Sequence, residues 1–176
     1  QDRGGGGFSW RILRDDPLGY SQAHLVTPGI DEGDVLLTDE YTFPDECQTP
    51  ADYSEYANSK ERELVSEFLE GVSDGRDFDA SSQPEYLSSY WPRLSTEEHG
   101  YVDWRWSLED IVRFTRAFSA PYEGAKTFIN GNEVRLKRCE SFQGDGTFHP
   151  FQTGILDRIS NGRGYVATPE GSLIVE

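Results

Sequence analysis

Apolar and polar residues alternate along this chain in patterns that divide it into recognisable elements. Gly4-Gly5-Gly6-Gly7 reads as a loop, because four glycines cost too much backbone entropy for a helix or strand. A short helix is expected next, over Phe8-Ser9-Trp10-Arg11-Ile12-Leu13. Residues 19–27 and 34–43 read as strands, with Ala23, Leu25, Val35, Leu36 and Leu37 set among polar neighbours. Between them, Pro28 to Gly33 forms a turn-rich loop. The strongest helix signal follows. Thr49 can cap, Pro50 sits where a missing N–H is harmless, and Asp52 falls in the first turn. Tyr53, Tyr56, Ala57, Leu64, Val65, Phe68, Leu69 and Val72 then recur at helical spacing, and Gly71 or Gly75 ends the run. A second helix is expected from Ser107, with Leu108, Ile111, Val112, Thr115 and Phe118 inward and Pro121 closing it.

Beyond Pro121 the pattern turns to short strands. Asn130-Gly131 is a hairpin signal between Thr127–Ile129 and Val134–Leu136. Gly144-Asp145-Gly146 and Asn161-Gly162 mark further turns, and residues 154–159, 164–168 and 172–175 supply three more strands. Five such strands predict a small barrel or curled sheet. The stretch before Ser107 is irregular and crowded with Tyr86, Tyr90, Trp91, Tyr101, Trp104 and Trp106. These rings suit either an aromatic linker packed over a domain face or a ligand-stacking surface. The expected division is 1–80, a connector over 81–106, and a helix with a small barrel over 107–176.

Composition narrows the picture. The chain has 176 residues, 32 acids and 16 bases, for a net charge of -16. That balance argues against a protein built mainly to grip phosphates of nucleic acid. It is uneven: residues 1–119 hold 25 acids and 10 bases, residues 120–176 hold 7 and 6. Only Lys60, Lys126 and Lys137 are lysines, and scarce lysine with excess acid fits either adaptation to high salt or an ordinary acidic mesophilic protein. The absence of methionine leads to the expectation that Gln1 is not a translation start and that this is a processed chain or a piece of a longer one. Cys47 and Cys139 suit one bridge or two idle thiols in a reducing cytosol, and a cytoplasmic setting is expected. No apolar run of about 18 residues is present to span a membrane, so no membrane partner is expected.

Sites are sparse. His24, His99 and His149 lie far apart, no cysteine pair has zinc spacing, and no metal is expected. Phosphate-loop, dinucleotide and serine-elbow motifs are missing. The loop Gly29-Ile30-Asp31-Glu32-Gly33-Asp34 is the notable place. Asp31 stands between glycines that let backbone approach a ligand, although such a pattern is also an ordinary turn. Arg135, Lys137 and Arg138 form a basic cluster that is either a solvated strand face or an RNA contact.

The ordered set Trp10-Arg11-Ile12-Leu13, Gly19, His24 and Gly29-Ile30-Asp31-Glu32-Gly33-Asp34-Val35-Leu36 resembles the folate-dependent formyltransferase family. The resemblance resumes at Tyr101-Val102-Asp103-Trp104, Ile111 to Phe118, Pro121 to Phe128, Thr153-Gly154-Ile155-Leu156 and Val166 to Gly171. It implies an α/β fold: part of the family's Rossmann-like catalytic domain, then a C-terminal barrel of the open, oligonucleotide-fold-like kind. It further implies formyl transfer from 10-formyltetrahydrofolate to a primary amine. Asp31 matches the catalytic aspartate, and Thr27, Pro28, Gly29 and Ile30, with His24, match positions that meet the cofactor. The family's Asn-x-His and His-Pro-Ser-Leu-Leu-Pro segments are absent here, and one extra residue separates Gly19 from His24. The chain is therefore expected to carry only part of an active site, with Asn and His supplied by an upstream half or a partner chain. The acidity and the Pro121-Tyr122-Glu123-Gly124-Ala125 run favour an amino sugar, nucleotide- or lipid-linked, over methionyl-tRNA as acceptor. A non-catalytic binding or assembly module is the alternative of another class.

Overall fold

The computed structural model describes residues 2–4, 7–29 and 31–176, with residues 2–4 and Leu87 described by backbone alone. Strand β1 (Asp2–Gly4) lies parallel to β4 (Ser89–Trp91), with Gly4 opposite Trp91. Helix α1 (Gly7–Arg14) begins at the last glycine of the run. The four glycines are thus not one loop. Pairing with β4 draws Gly4 into a ladder and Gly7 opens a helix, while residues 5 and 6 lie outside the described part. α1 ends on Arg11 and Arg14, where cations suit the negative end of the helix dipole.

β2 (Leu18–His24) and β3 (Val35–Thr42) form an antiparallel hairpin with Leu18 opposite Thr42. Pairing shifts by one between Ala23 and His24, so Leu36 bulges out of register beside His24. Helix α2 (Pro50–Ser73) packs on this hairpin. Its start is the one expected, a reciprocal cap in which Thr49 accepts from the Asp52 amide and the Asp52 carboxylate accepts the Thr49 N–H at 2.8 Å. Its apolar stripe is only half used. Tyr53, Ala57 and Leu64 are buried, whereas Val65, Leu69 and Val72 are 53%, 60% and 54% exposed. A helix of 24 residues runs roughly 36 Å and overshoots a two-stranded hairpin. Gly75, at φ +72°, follows the helix end.

The connector holds β4, the short helix α3 (Thr96–His99) and single turns. Most of its aromatic rings pack. Trp104 and Trp106 lie against the core, and Trp91 meets Trp10 at 4.9 Å. Tyr86 and Tyr90 stay exposed. Helix α4 (Leu108–Ala117) matches expectation, with Ser107 capping the Asp110 amide at 3.1 Å and Leu108, Ile111, Val112, Phe114 and Thr115 buried. One core joins the two ends of the sequence: Ile12, Phe43, Tyr53 and Ala57 pack with Leu108, Ile111, Phe118, Leu136 and Leu173. The Ser9 hydroxyl donates to the Ala117 carbonyl at 2.8 Å and ties α1 to α4.

β5 (Ala125–Ile129) and β6 (Asn132–Leu136) form the expected hairpin, with Asn130 and Gly131 both left-handed at φ +51° and +81°. β7 (Cys139–Phe142), β8 (Leu156–Ser160), β9 (Arg163–Thr168) and β10 (Gly171–Val175) form an antiparallel sheet in the order β7-β10-β9-β8. Five strands are expected after Pro121, and β7 is a sixth. The barrel expected from them is not closed: the β5–β6 ribbon and the four-stranded sheet are separate. The expected Rossmann-like domain is likewise not seen as such. Among the described residues, parallel pairing is limited to β1–β4 and a bridge between Tyr101 and Lys126, far short of an open parallel sheet. Both cysteines are free. Among the described residues no helix is long and apolar enough to cross a membrane.

Candidate functional site

The loop between β2 and β3 is closed at its neck by the chain itself. The Leu25 amide donates to the Asp34 carbonyl at 2.9 Å, so the loop leaves and returns at one point. Gly33 lies against the Leu25 carbonyl, and a side chain there would meet that backbone oxygen. Gly29 lies under the Glu32 carboxylate, which also accepts from the Thr27 hydroxyl at 3.4 Å. Gly33 is required by the backbone oxygen it meets, whereas Gly29 leaves room for the Glu32 side chain to fold back.

The connector braces this neck. Gln83 donates its side-chain amide to the Gly33 carbonyl, and Ser81 and Val35 exchange backbone bonds at 2.8 and 2.9 Å. Gln83 and Ser81 are contributors that the sequence reading missed. They lie about fifty residues from the loop, and no local motif announces such a contact. Beside them, Gln22, Val35, Thr38 and Asp79 help line a cleft of about 350 Å³.

Asp31 is exposed at the loop apex in the left-handed region, φ +51°. Asp and Asn tolerate that conformation better than most side chains. Thr27 and Pro28 are exposed and Gly29 is half-buried. Strand pairing ends at His24 and Val35, which leaves the backbone of 27–29 outside the ladder. Ile30 lies outside the described residues. His24 is exposed at the end of β2, its Nδ1 3.1 Å from the Leu25 carbonyl. The structure thus gathers His24, Thr27, Gly29 and Asp31 onto one braced loop. His99 and His149 sit elsewhere, in α3 and at the cap of a single turn near Phe151. Among the described residues no group of three or more His, Cys, Asp or Glu converges as metal ligands would.

The basic cluster has a different character from a phosphate-gripping patch. Arg135 is held by Glu97 at 2.7 Å, Glu133 at 3.4 Å and Glu123 at 3.6 Å. Lys126, 3% exposed, bonds Glu97 at 2.7 Å and Glu133 at 2.9 Å and lies 4.5 Å from the Tyr101 ring centre. The Tyr101 hydroxyl donates to Glu133 at 2.8 Å. Lys137 and Arg138 lie exposed beyond this network. The network is a clasp between α3 and the β5–β6 hairpin. Hydrogen bonds from Lys126 and then Arg135 hold the Glu97 carboxyl down at about 2, against 4.5 when free.

That depression fixes a pH dependence. A carboxyl lowered by folding contributes its stability above about pH 4.5 and loses it as the pH falls toward about 2. Thermal melts from pH 7 to pH 2 should show the wild type losing stability across that window. Glu97→Gln should melt a few degrees lower at pH 7 and lose less on acidification, an effect that added salt reduces because Glu97 is exposed. An identical acid limb in the variant would contradict the clasp.

Comparison with known proteins adds a family context to this geometry. Residues 94–176 match the formyl transferase C-terminal domain. Over 174 residues, 99% of this chain and 52% of the relative, the sequence is 29% identical to methionyl-tRNA formyltransferase of Pelobacter propionicus. The chain spans about half the length of the curated relatives it matches. In fold it resembles HypX from Aquifex aeolicus in complex with tetrahydrofolic acid, with a TM-score of 0.72 at 21% identity, covering 99% of this chain and 29% of that one. It also resembles an N-formyltransferase from Helicobacter canadensis in complex with folinic acid and dTDP-3-aminofucose, with a TM-score of 0.66 at 17% identity, covering 99% and 61%.

Proposed function

We infer, from a chain that belongs to the folate-dependent formyltransferase family as its C-terminal part, that it helps move a formyl group from 10-formyltetrahydrofolate to a primary amine. The observation that carries this reading is the braced 25–34 loop, which presents Asp31 at its apex with His24 at the loop's root. The fit to a reduced folate rests on backbone. Thr27, Pro28 and Gly29 lie outside the strand ladder, and their three carbonyls with the Thr27 and Gly29 amides suit the donors and acceptors of a pterin edge. Folates bound in the structures of similar fold support the same choice of donor.

The chemistry asked of these residues is limited. An amine nitrogen bonds to the formyl carbon, the carbon–nitrogen bond to the folate breaks, and the proton given up by the amine ends on the departing folate nitrogen. Asp31, as carboxylate, accepts or relays that proton, directly or through water. Stabilising the oxyanion needs donors, and we assign these to an Asn and a His from a segment outside these 176 residues, upstream in the same protein or on a partner chain. The 1–80, 81–106 and 107–176 division belongs to the same reading.

For the acceptor, a small amine such as an amino sugar fits the surface best. The chain carries a net charge of -16, and Arg135 is already occupied by three carboxylates. Methionyl-tRNA is the second reading, favoured by the names of the curated relatives. Measuring formyl transfer from 10-formyltetrahydrofolate separates the cases. The purified 176-residue chain should show no turnover with either acceptor. Once the missing segment is supplied, turnover should appear with an amino sugar and change little between low and moderate salt. Turnover by the chain alone would refute the partial-site account, and a steep salt-dependent reaction with methionyl-tRNA would transfer the assignment to the second reading.

A further inference from the structure

Helix α4 carries Arg113 and Arg116, nearly one turn apart, and both face a trough at the end of the β2–β3 hairpin away from the 25–34 loop. The trough runs between α4 and the segments that flank the hairpin, with two contiguous hollows of about 370 and 310 Å³ that share Asp15, Arg113 and Arg116. Ile12, Phe43 and Tyr53 supply an apolar floor, and Asp15 and Asp45 stand on the walls with Cys47. β2 has seven residues, so roughly 20 Å of strand separates the trough from the candidate reaction loop.

The two arginines are less committed than others in this chain. Arg11, Arg135, Arg158 and Arg163 each hold a carboxylate at 2.9, 2.7, 2.8 and 2.8 Å. Arg113 reaches Asp110 and Glu109 only at 3.7 and 3.9 Å, too long for a charge-assisted hydrogen bond. Among the described residues Arg116 has no ion pair with a carboxylate. What sets these two apart is their convergence: both line the same hollow, and neither holds a carboxylate within hydrogen-bond distance. The wall carboxylates would repel a bare anion, but they accept hydrogen bonds from hydroxyl groups. Phosphate recognition by planar guanidinium forks completes the pattern.

We propose that this trough is a binding site for a small phosphorylated polyol, with Arg113 and Arg116 on the phosphate and Asp15 and Asp45 on its hydroxyls. Its distance from Asp31 makes it an accessory site that does not deliver the reacting amine, and it stands independently of the formyl-transfer reading.

Calorimetric titration with glycerol phosphate, inorganic phosphate and glycerol tests the site directly. Glycerol phosphate should bind about tenfold more tightly than inorganic phosphate, and glycerol should give no heat. Arg113→Gln combined with Arg116→Gln should weaken binding by about tenfold or more, whereas Arg62→Gln, on the exposed side of α2, should leave it unchanged. A second reading needs no variant. Saturating glycerol phosphate should slow alkylation of Cys47, which lines the trough, as peptide mapping reads it. Absence of binding, binding no tighter than that of inorganic phosphate, binding undiminished in the folded double variant, or unprotected Cys47 would each overturn the proposal.

Discussion

Asp31→Asn, made in the protein with its active site complete, is expected to lower formyl transfer by about 10²–10⁴-fold. The change removes one charge and keeps the shape. Asn accepts the left-handed backbone that Asp31 adopts at φ +51°, so the apex should hold its conformation. The neck of the loop depends on Leu25, Asp34, Gly33 and Gln83, none of which is altered. Melting temperature should therefore stay within a degree or so of wild type while the rate collapses. A near-normal rate would remove Asp31 from proton transfer and leave the loop as a structural turn. Comparable loss of stability and rate would mean that the variant had damaged the fold instead.

The largest expected effect on stability comes from Ile111→Ala in α4. Ile111 is 0% exposed and packs in the core that unites α1, α2 and the C-terminal sheet. Replacing it removes most of a buried branched side chain and leaves a space that its neighbours fill only in part. The expected cost is about 2–5 kcal/mol, against a total stability of about 5–15 kcal/mol for an ordinary domain. Alanine is the better helix former, which offsets a few tenths of that loss. Because the core is shared, denaturant unfolding should move as one transition with its slope unchanged. Two separate transitions, only one of them shifted, would show that residues 1–80 and 107–176 unfold independently.

Local chemistry made parts of this fold legible. Thr49, Pro50 and Asp52 start α2 for reasons contained in four residues, and Ser107 does the same for α4. Asn130-Gly131 and Asn161-Gly162 adopt the left-handed pairs that tight hairpins need. The β2–β3 loop stood out as a candidate because its glycines and Asp31 resemble a family motif. Other features were hidden because they depend on distant partners. β7 has little alternation of its own and is specified by pairing with β10. Gly4 reads as loop until β4 is present to pair with it. The stripe of α2 is regular throughout, yet what covers Tyr53 does not extend to Leu69. Whether several strands close into a barrel is decided by tilt and stagger rather than by strand count. At the site, Gln83 and Ser81 lay in a connector without periodicity, and Glu32, adjacent to Asp31, gave no sign that its carboxylate would fold back over Gly29. The choice between a solvated face and an RNA contact for Arg135, Lys137 and Arg138 was not legible locally either, since the glutamates that neutralise Arg135 come from α3, from β6 and from the turn before β5.

The central claim is that the 25–34 loop serves a reduced folate. Calorimetric titration of the protein, with the missing segment supplied, against folinic acid tests it most directly, since that compound does not donate its formyl group and no acceptor need be known. The account predicts one-to-one binding in the micromolar range that is weakened when Gly29→Val forces the Glu32 carboxylate off the loop. No heat with folinic acid, or binding indifferent to Gly29→Val, would contradict it.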